Sequence, residues 1–366
     1  MKIILLSSAS SIHTLQWARN LKLQGVEIIV ISQHPKSEDF PDSIPVHILP
    51  YSGFIGYFLN AIPLKKLVQT IQPDLINVHY ASGYGTTARL VNFHPYVLSV
   101  WGSDVFEFPY RSFLHKTLLK WNLKSADIIV SSSHSMLKQT YQFVEKTKKI
   151  EVIPFGVDLS KFTQPDEILE NSASITIGTV KTLKEVYGID ILLKALAIVQ
   201  QKMTAQYSDV AKHLQFRIVG GGPDLDKLKI LAQQLDIAEK VVFTGAVQHD
   251  LVPIELEKLD IYIALSRQES FGVAVIEAQA MAKPVVVSNV GGLPEVVKHQ
   301  ETGFIVESEN PEAAAEAIIK LILNLELREK MAYNAEKFVN QNFSWNACAV
   351  KMKNLYKQTL EACSKG

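Results

Sequence analysis

The sequence predicts two doubly wound α/β domains, each a parallel sheet with helices on both faces. Short Val/Ile-rich runs alternate with helical segments, and the alternation occurs twice, before and after a polar stretch at residues 163–174. The runs are continuously apolar, as in strands buried on both faces. Strand–helix–strand order implies parallel neighbours joined by right-handed crossovers. At 366 residues the chain holds two domains of ordinary size.

Residues 2–6 (KIILL) form the first strand; this apolar run is too short for a signal peptide core or a membrane span. Leu15, Trp17, Ala18 and Leu21 then recur at helical spacing, Gly25 stops that helix, and VEIIVIS is the next strand. The pattern continues through LINVH, YVLSV, DIIVSSS and EVIPFGVD. The second half repeats it with ITIGTV, FRIVGGG, VVFTG, IYIALS, PVVVS and GFIV, with helices such as IDILLKALAIVQ between them. The closing segment NFSWNACAVKMKNLYKQTLEACSKG reads as a final helix. The expected organisation is therefore 1–165, 166–345 and a terminal helix at 346–366.

Hydrophobic residues are 47% of the chain and charged residues 20%, a globular composition. The net charge of +0 argues against a nucleic-acid binder. Residues 1–165 carry 16 Lys+Arg and 11 Asp+Glu, and residues 166–366 carry 21 and 26, so the halves differ as +5 and −5. The N-terminal half is the one suited to an anionic partner. Cys348 and Cys363 have no metal-ligand spacing, which fits a reducing, cytoplasmic setting. No Asp/His cluster has the spacing of a metal site, so neither metal nor resident cofactor is expected.

In open α/β sheets ligands sit beyond the carboxyl ends of strands. After IYIALS come Arg267, Glu269, Phe271, Gly272 and Val273, then the helix AVIEAQAMA with Glu277. Gly272 permits close backbone approach, and free N–H groups at the helix start attract anions. A diphosphate there would lie between Glu269 and Glu277. A helix-capping acid and a solvated helix residue would give the same spacing, so spacing alone leaves both readings open.

The stretch ESFGVAVIEAQAMAKPVVVSNVGGLPEVV, followed by TGFIV, decides between them. With IVGGGPDLDKL, VVFTGAV and LDIYIALS upstream, it resembles the retaining GT-B glycosyltransferases called family 4, and the resemblance extends more loosely over nearly the whole chain. It implies the GT-B fold, two Rossmann-like domains with a cleft between them. The N-terminal domain would bind the acceptor, the C-terminal domain the nucleotide sugar. Glu269 would contact the donor sugar, Glu277 the ribose, and backbone amides near Phe271, Gly272 and Val273 the phosphates. Gly221 and Gly222, in a Gly-Gly-Gly-Pro turn, would lie beside the nucleotide. Relatives supply an Arg and a Lys to the leaving diphosphate; here the matching segment is GTVKTLKEVYG. Lys181 and Lys184 are the substitutes expected from it, with Arg267 as a further cation.

In the N-terminal half, Ser7–Ser11 replaces the usual Gly-Gly loop, which brings Ser11 and His13 forward for the acceptor. His79 follows a strand where relatives carry a His. Trp101 stands where many relatives have the His of His-Gly-x-Asp, and Asp104 matches the Asp. Glu269, Asp104 and Lys184 are the expected catalytic residues; Ser11, His13, His79, Trp101 and Asp104 are the expected acceptor contacts. Each has a plainer reading as a cap, turn or surface residue.

Lys116, Lys120 and Lys124 recur at i, i+4, i+8 beside Phe113, Leu114, Leu118 and Trp121. Such a stripe suits anionic headgroups at the inner membrane face. A core helix with a solvated charged face fits it too; the charge excess of this half favours the former.

The combined expectation is retaining transfer of a hexose or N-acetylhexosamine from a UDP- or GDP-sugar to a hydroxyl of a saccharide or lipid-linked acceptor. Bacterial cell-surface polysaccharide or glycolipid synthesis is the setting implied. The alternative is a sugar-nucleotide-binding protein of this fold without transferase activity. A nicotinamide oxidoreductase should carry GxGxxG after the first strand, and SSASS does not match it.

Overall fold

The structure, a computed structural model, describes residues 1–164 and 174–363. The chain divides into two compact units, Met1–Gly156 with Trp345–Gly366, and Val157–Ser344. The junction expected at 165/166 lies outside the described residues. Residues 157–164 group with the second unit, where Val157 donates its N–H to the Phe343 carbonyl at 2.7 Å.

In the first unit the described strands are β1 (Lys2–Leu6), β2 (Glu27–Ser32), β3 (Val46–Ile48), β4 (Leu75–His79), β5 (Tyr96–Ser99), β6 (Ile128–Ser131) and β7 (Ile150–Val152). They form one sheet in the order β3-β2-β1-β4-β5-β6-β7, every pair parallel. The helices are α1 (Ile12–Leu23), α2 (Gly53–Leu59), α3 (Ala61–Ile71), α4 (Gly83–Val91), α5 (Ser103–Phe106), α6 (Phe113–Ser125) and α7 (His134–Thr140). One core joins β-sheet residues such as Ile4, Ile76 and Leu98 to Leu64 of α3, Ala88 of α4 and Leu119 and Leu123 of α6. The terminal helix Trp345–Cys363 packs against α1, with the Trp17 and Trp345 rings edge to face at 5.1 Å.

The second unit has β8 (Ile175–Val180), β9 (Leu214–Val219), β10 (Val241–Gly245), β11 (Ile261–Ala264), β12 (Val285–Ser288) and β13 (Gly303–Val306), in the order β10-β9-β8-β11-β12-β13, again parallel. Its helices are α8 (Ile189–Gln206), α9 (Ser208–Lys212), α10 (Leu225–Gln234), α11 (Val252–Glu257), α12 (Val273–Ala280), α13 (Leu293–Val296), α14 (Pro311–Leu323) and α15 (Leu325–Asn342). The helix Trp345–Cys363 is α16.

Both sheets reverse strand order beside their first strand, at β1/β4 and at β8/β11. Loops leaving neighbouring strands diverge there, which opens a crevice at the carboxyl ends. The segments after β1, β4, β8 and β11 are thus where ligand chemistry is expected, and they contain Ser11–His13, Tyr80, Lys181 and Arg267–Glu269. The sequence reading assigned no element between residues 33 and 72, where β3, α2 and α3 occur. β3 spans only three residues, and α2 turns most of its large apolar side chains outward, so neither carries an ordinary buried-face pattern.

Candidate functional site

At the end of β8, Lys181 keeps its N–H in the ladder, donating to the Val219 carbonyl at 2.9 Å. Its ammonium sits 2.6 Å from Glu269 Oε2 and 4.3 Å from the centroid of the Tyr187 ring. The two charged side chains are only 16% and 11% exposed. Burial opposes the charge on Lys181, but the adjacent carboxylate outweighs it and holds the ammonium above the ordinary lysine range. Tyr262 of β11 lies in the same neighbourhood. It donates to the Val180 carbonyl at 3.3 Å, and burial pushes its phenol up to about 12.

Glycines set the backbone of this site. Gly291 has φ +52°, and a Cβ there would lie 1.8 Å from the Glu269 carbonyl oxygen; Gly292 donates its N–H to that same oxygen at 3.0 Å. The Gly-Gly pair after β12 therefore fixes the loop that aims Glu269. Gly272 at φ +111° starts α12, and its carbonyl accepts from Val275 and Ile276. Gly222 lies against the segment leaving β8: a Cβ would meet the Leu183 carbonyl oxygen at 2.2 Å, while Leu183 donates to the Gly221 carbonyl at 2.9 Å. Gly221 and Gly222 thus lie close against Ala246 and Leu183, and it is Gly220, at φ +142°, whose Cβ would meet the Lys181 carbonyl oxygen at 1.9 Å.

Glu277, on α12, is 12% exposed and accepts from His249 Nε2 at 3.3 Å. This hydrogen bond raises the His249 pKa against the opposing effect of burial. Phe271 is 2% exposed and meets Phe343 edge on, so only its backbone remains for a ligand; Val273 opens α12.

Two expectations for this unit change. Arg267 does not stand free for a diphosphate: its guanidinium binds Asp190 bidentately at 2.7 and 2.8 Å, Glu309 at 2.5 Å and the Glu185 carbonyl at 2.7 Å. It fastens the loop after β11 to the start of α8. Lys184 is not brought into the Lys181–Glu269 contact. It is exposed and precedes the turn Glu185–Tyr187, so the expected lysine pair is one buried and one solvated cation.

In the first unit, His79 is fully buried at the end of β4, with Nδ1 3.0 Å from Ser7 Oγ and Nε2 without a hydrogen-bond partner. Burial, helped by nearby His13, lowers its pKa to about 3, so the imidazole is neutral. The Trp101 ring lies over it at 4.4 Å, and His13 sits between Trp101 at 5.8 Å and Phe155 at 4.6 Å. His13, His79 and Trp101 are thus one aromatic cluster, completed by Phe155, which the sequence reading did not single out. Ser11 takes the position before α1 without a side-chain cap bond.

Asp104 is corrected. Its carboxylate is 1% exposed and accepts from the N–H groups of Ala81 at 2.9 Å, Gly102 at 2.8 Å and Trp101 at 3.1 Å. Burial pushes its pKa up while these donors pull it down. A carboxylate saturated by backbone ties the loops after β4 and β5 together and places Trp101; it is not presented to an acceptor. His249, Tyr262 and the Gly291–Gly292 pair were also missed, although each follows or lies on a strand of the second sheet.

The family described as glycosyl transferases group 1 matches residues 160–338, and the glycosyl transferase 4-like family matches residues 2–133. An uncharacterized glycosyltransferase of Methanocaldococcus jannaschii is 26% identical over 346 residues, 92% of this chain and 91% of its own. Among solved structures, sucrose-phosphate synthase from Thermosynechococcus elongatus superposes with a TM-score of 0.84 at 20% identity, covering 99% of this chain and 100% of its own. Anabaena HepE in complex with UDP and glucose gives 0.77 at 19% identity, covering 98% and 99%. The twin parallel sheets, the glycine-built loop that carries Glu269 and the two matching families lead to one assignment: this chain belongs to the group 1 glycosyltransferases of the GT-B fold.

Proposed function

We propose that the chain transfers a hexose or N-acetylhexosamine from a UDP- or GDP-sugar to a hydroxyl of a saccharide or lipid-linked acceptor, with retention at the anomeric carbon. The observation that carries the reading is the Lys181–Glu269 pair beside Glu277 and the start of α12. A buried ammonium suits the charge that grows on a departing diphosphate, where fixed charges stabilise a transition state better than water. In this reading Glu269 accepts from sugar hydroxyls and Glu277 from ribose hydroxyls, the roles that the resemblance implies. HepE, whose structure holds UDP and glucose, has this fold.

In the proposed step the bond between the anomeric carbon and the diphosphate oxygen breaks. The acceptor oxygen attacks the face the diphosphate leaves, and its proton passes to the leaving phosphate oxygen. No divalent cation is invoked; Lys181 supplies positive charge, and activity should persist in EDTA. The neutral His79 and the Trp101, His13 and Phe155 rings suit the apolar face of an acceptor sugar. Bacterial surface polysaccharide or glycolipid synthesis remains the proposed setting, at the inner face of the membrane. The contact proposed is peripheral, through the lysine stripe of α6; among the described residues no helix is long and apolar enough to cross a membrane.

Thermal stabilisation by UDP, GDP, ADP and their sugar conjugates tests the donor site, repeated on Glu277→Ala. Stabilisation by one nucleotide, lost in the variant, supports the reading. No stabilisation at millimolar concentration by any of them rejects it.

A further inference from the structure

The helix α2 is built inside out. Its polar neighbours are buried: Asn60 is fully buried and bonds Gln33 Oε1 at 3.2 Å and the Tyr51 carbonyl at 2.7 Å. The large apolar side chains on α2, just before it and at the start of α3 face solvent instead. Tyr51, Phe54, Ile55, Phe58, Leu59 and Ile62 are 38–70% exposed. The inner side is held by Tyr57, whose ring packs on Gly83 so closely that a Cβ there would be 2.3 Å away, and whose carbonyl accepts from Thr87. The exposed ridge is therefore a fixed feature of the unit, and contiguous exposed apolar surface of this kind marks a docking face.

Its charge setting selects the partner. Between Ser43 and Ala126 the acids are Asp74, Asp104 and Glu107 alone, against Lys65, Lys66, Arg89, Arg111, Lys116, Lys120 and Lys124. Asp104 is buried, and Asp74 accepts from the Lys2 N–H at the opposite end of the strands. Among the described residues none of the five exposed lysines Lys65, Lys66, Lys116, Lys120 and Lys124 has an ion-pair partner.

Helices α2, α3, α4 and α6 share one core on one face of the sheet, so ridge and lysines belong to one side of the unit. Phe113 and Leu114, at the start of α6, are 81% and 77% exposed, and Trp121 is 56% exposed. Lys120, Trp121, Lys124, Thr147, Lys148 and Glu145 line a surface cavity of about 600 Å³.

We infer that α2 and the start of α6 insert their apolar side chains into an anionic lipid bilayer while the lysines of α3 and α6 lie on its headgroups. Apolar insertion and headgroup attraction add, as in other interfacial helices. This deepens the membrane contact proposed above and does not depend on the donor reading.

The experiment is co-sedimentation of the full chain with vesicles of phosphatidylcholine, or of phosphatidylcholine and phosphatidylglycerol at about 7:3, with tryptophan emission read in parallel. Trp17, Trp101 and Trp345 are buried, so an emission shift on binding reports Trp121. Binding to the anionic vesicles with a blue shift is expected. Phe54→Ser/Ile55→Ser/Ile62→Ser should weaken partitioning about tenfold or more, and Lys116→Glu/Lys120→Glu should abolish the preference for anionic lipid. All five positions are exposed, and unchanged melting and unchanged stabilisation by nucleotide confirm that each variant folds and that the donor site is separate. Failure of the parent chain to bind anionic vesicles overturns the inference, as does parent-like binding by the triple serine variant. Concentration-dependent dimers that the serine variant disperses, without vesicle binding, would assign the ridge to a second copy and overturn it equally.

Discussion

The Lys181–Glu269 pair allows a quantitative test. Lys181→Met removes the ammonium and leaves a carboxylate that is 11% exposed; Glu269→Gln leaves an ammonium that is 16% exposed. Breaking a fully buried pair costs about 3–5 kcal/mol, and the residual water contact here reduces that to about 2 kcal/mol for each single variant. The double variant removes both charges and keeps the volume, so it should cost about 2.5 kcal/mol, less than the sum. The coupling is then about 1.5 kcal/mol, or about 3–6 °C in melting temperature for a unit of this size.

Thermal unfolding of the four proteins at pH 7 and pH 9 measures it. The lysine pKa is raised in the folded state, so its contribution is complete below the unfolded value of 10.5 and is lost only as pH rises towards the folded value. The coupling should therefore be equal at both pH values. A coupling under about 0.5 kcal/mol, or one that halves by pH 9, would refute the argument.

Three further outcomes follow from other contacts. His79 is neutral when folded, with a pKa lowered from 6.5 to about 3, so stability should fall as pH drops through that window, by about 1.4 kcal/mol per pH unit at most; His79→Gln should remove that slope from acid unfolding curves, and an unchanged slope would reject the assignment. Arg267→Met should destabilise the second unit by about 1–3 kcal/mol through loss of the Asp190 and Glu309 bonds, while nucleotide affinity measured on folded protein stays within about twofold. A large affinity loss with unchanged melting would return Arg267 to the donor site. Gly291→Ala, with φ +52° and a Cβ 1.8 Å from the Glu269 carbonyl, should displace Glu269 and abolish nucleotide stabilisation at a temperature where the protein remains folded by circular dichroism.

The two sheets were legible because their strands are short, apolar throughout and bounded by glycine or proline, as in ITIGTV and PVVVS. Glu269, Glu277, Gly272 and Lys181 were picked out through the motif resemblance, and Glu269, Gly272 and Lys181 do stand in segments that follow strands, where ligand loops occur. Partner choice was not legible. Arg267 and Asp104 sit at the right loop positions, yet Arg267 is consumed by Asp190, 77 residues away, and Asp104 by the Ala81 amide, 23 residues away. Such pairings depend on which loops the crossovers bring together, and no local pattern encodes them. His249 was missed for the same reason, because its significance comes from Glu277. The ridge on α2 was not legible because the segment lacks a buried apolar face: its large apolar side chains point outward, and the buried members are Gly56, Asn60 and part of Tyr57.

The two units place chemically opposite groups at equivalent points of the same topology. At the β8/β11 reversal the groups are charged and paired: a largely buried ammonium with a carboxylate, and a partly exposed guanidinium with two more carboxylates. At the β1/β4 reversal the buried groups are rings, with one neutral imidazole and a carboxylate whose charge is spread over three backbone amides. A diphosphate needs fixed positive charge that does not have to be reorganised as the leaving group departs. An acceptor hydroxyl makes no such demand; it needs an apolar platform that excludes water and orients one oxygen. Trp101, at the position where the resemblance implies a histidine in many relatives, is consistent with that division. It trades an ionisable contact for area, and it shields a second histidine whose pKa of about 3 keeps it uncharged throughout the physiological range. If the donor charge is managed wholly within the second unit, Trp101→Phe should alter acceptor KM while leaving the nucleotide-induced melting shift intact, and a loss of nucleotide stabilisation in that variant would break the division argued from the two crevices.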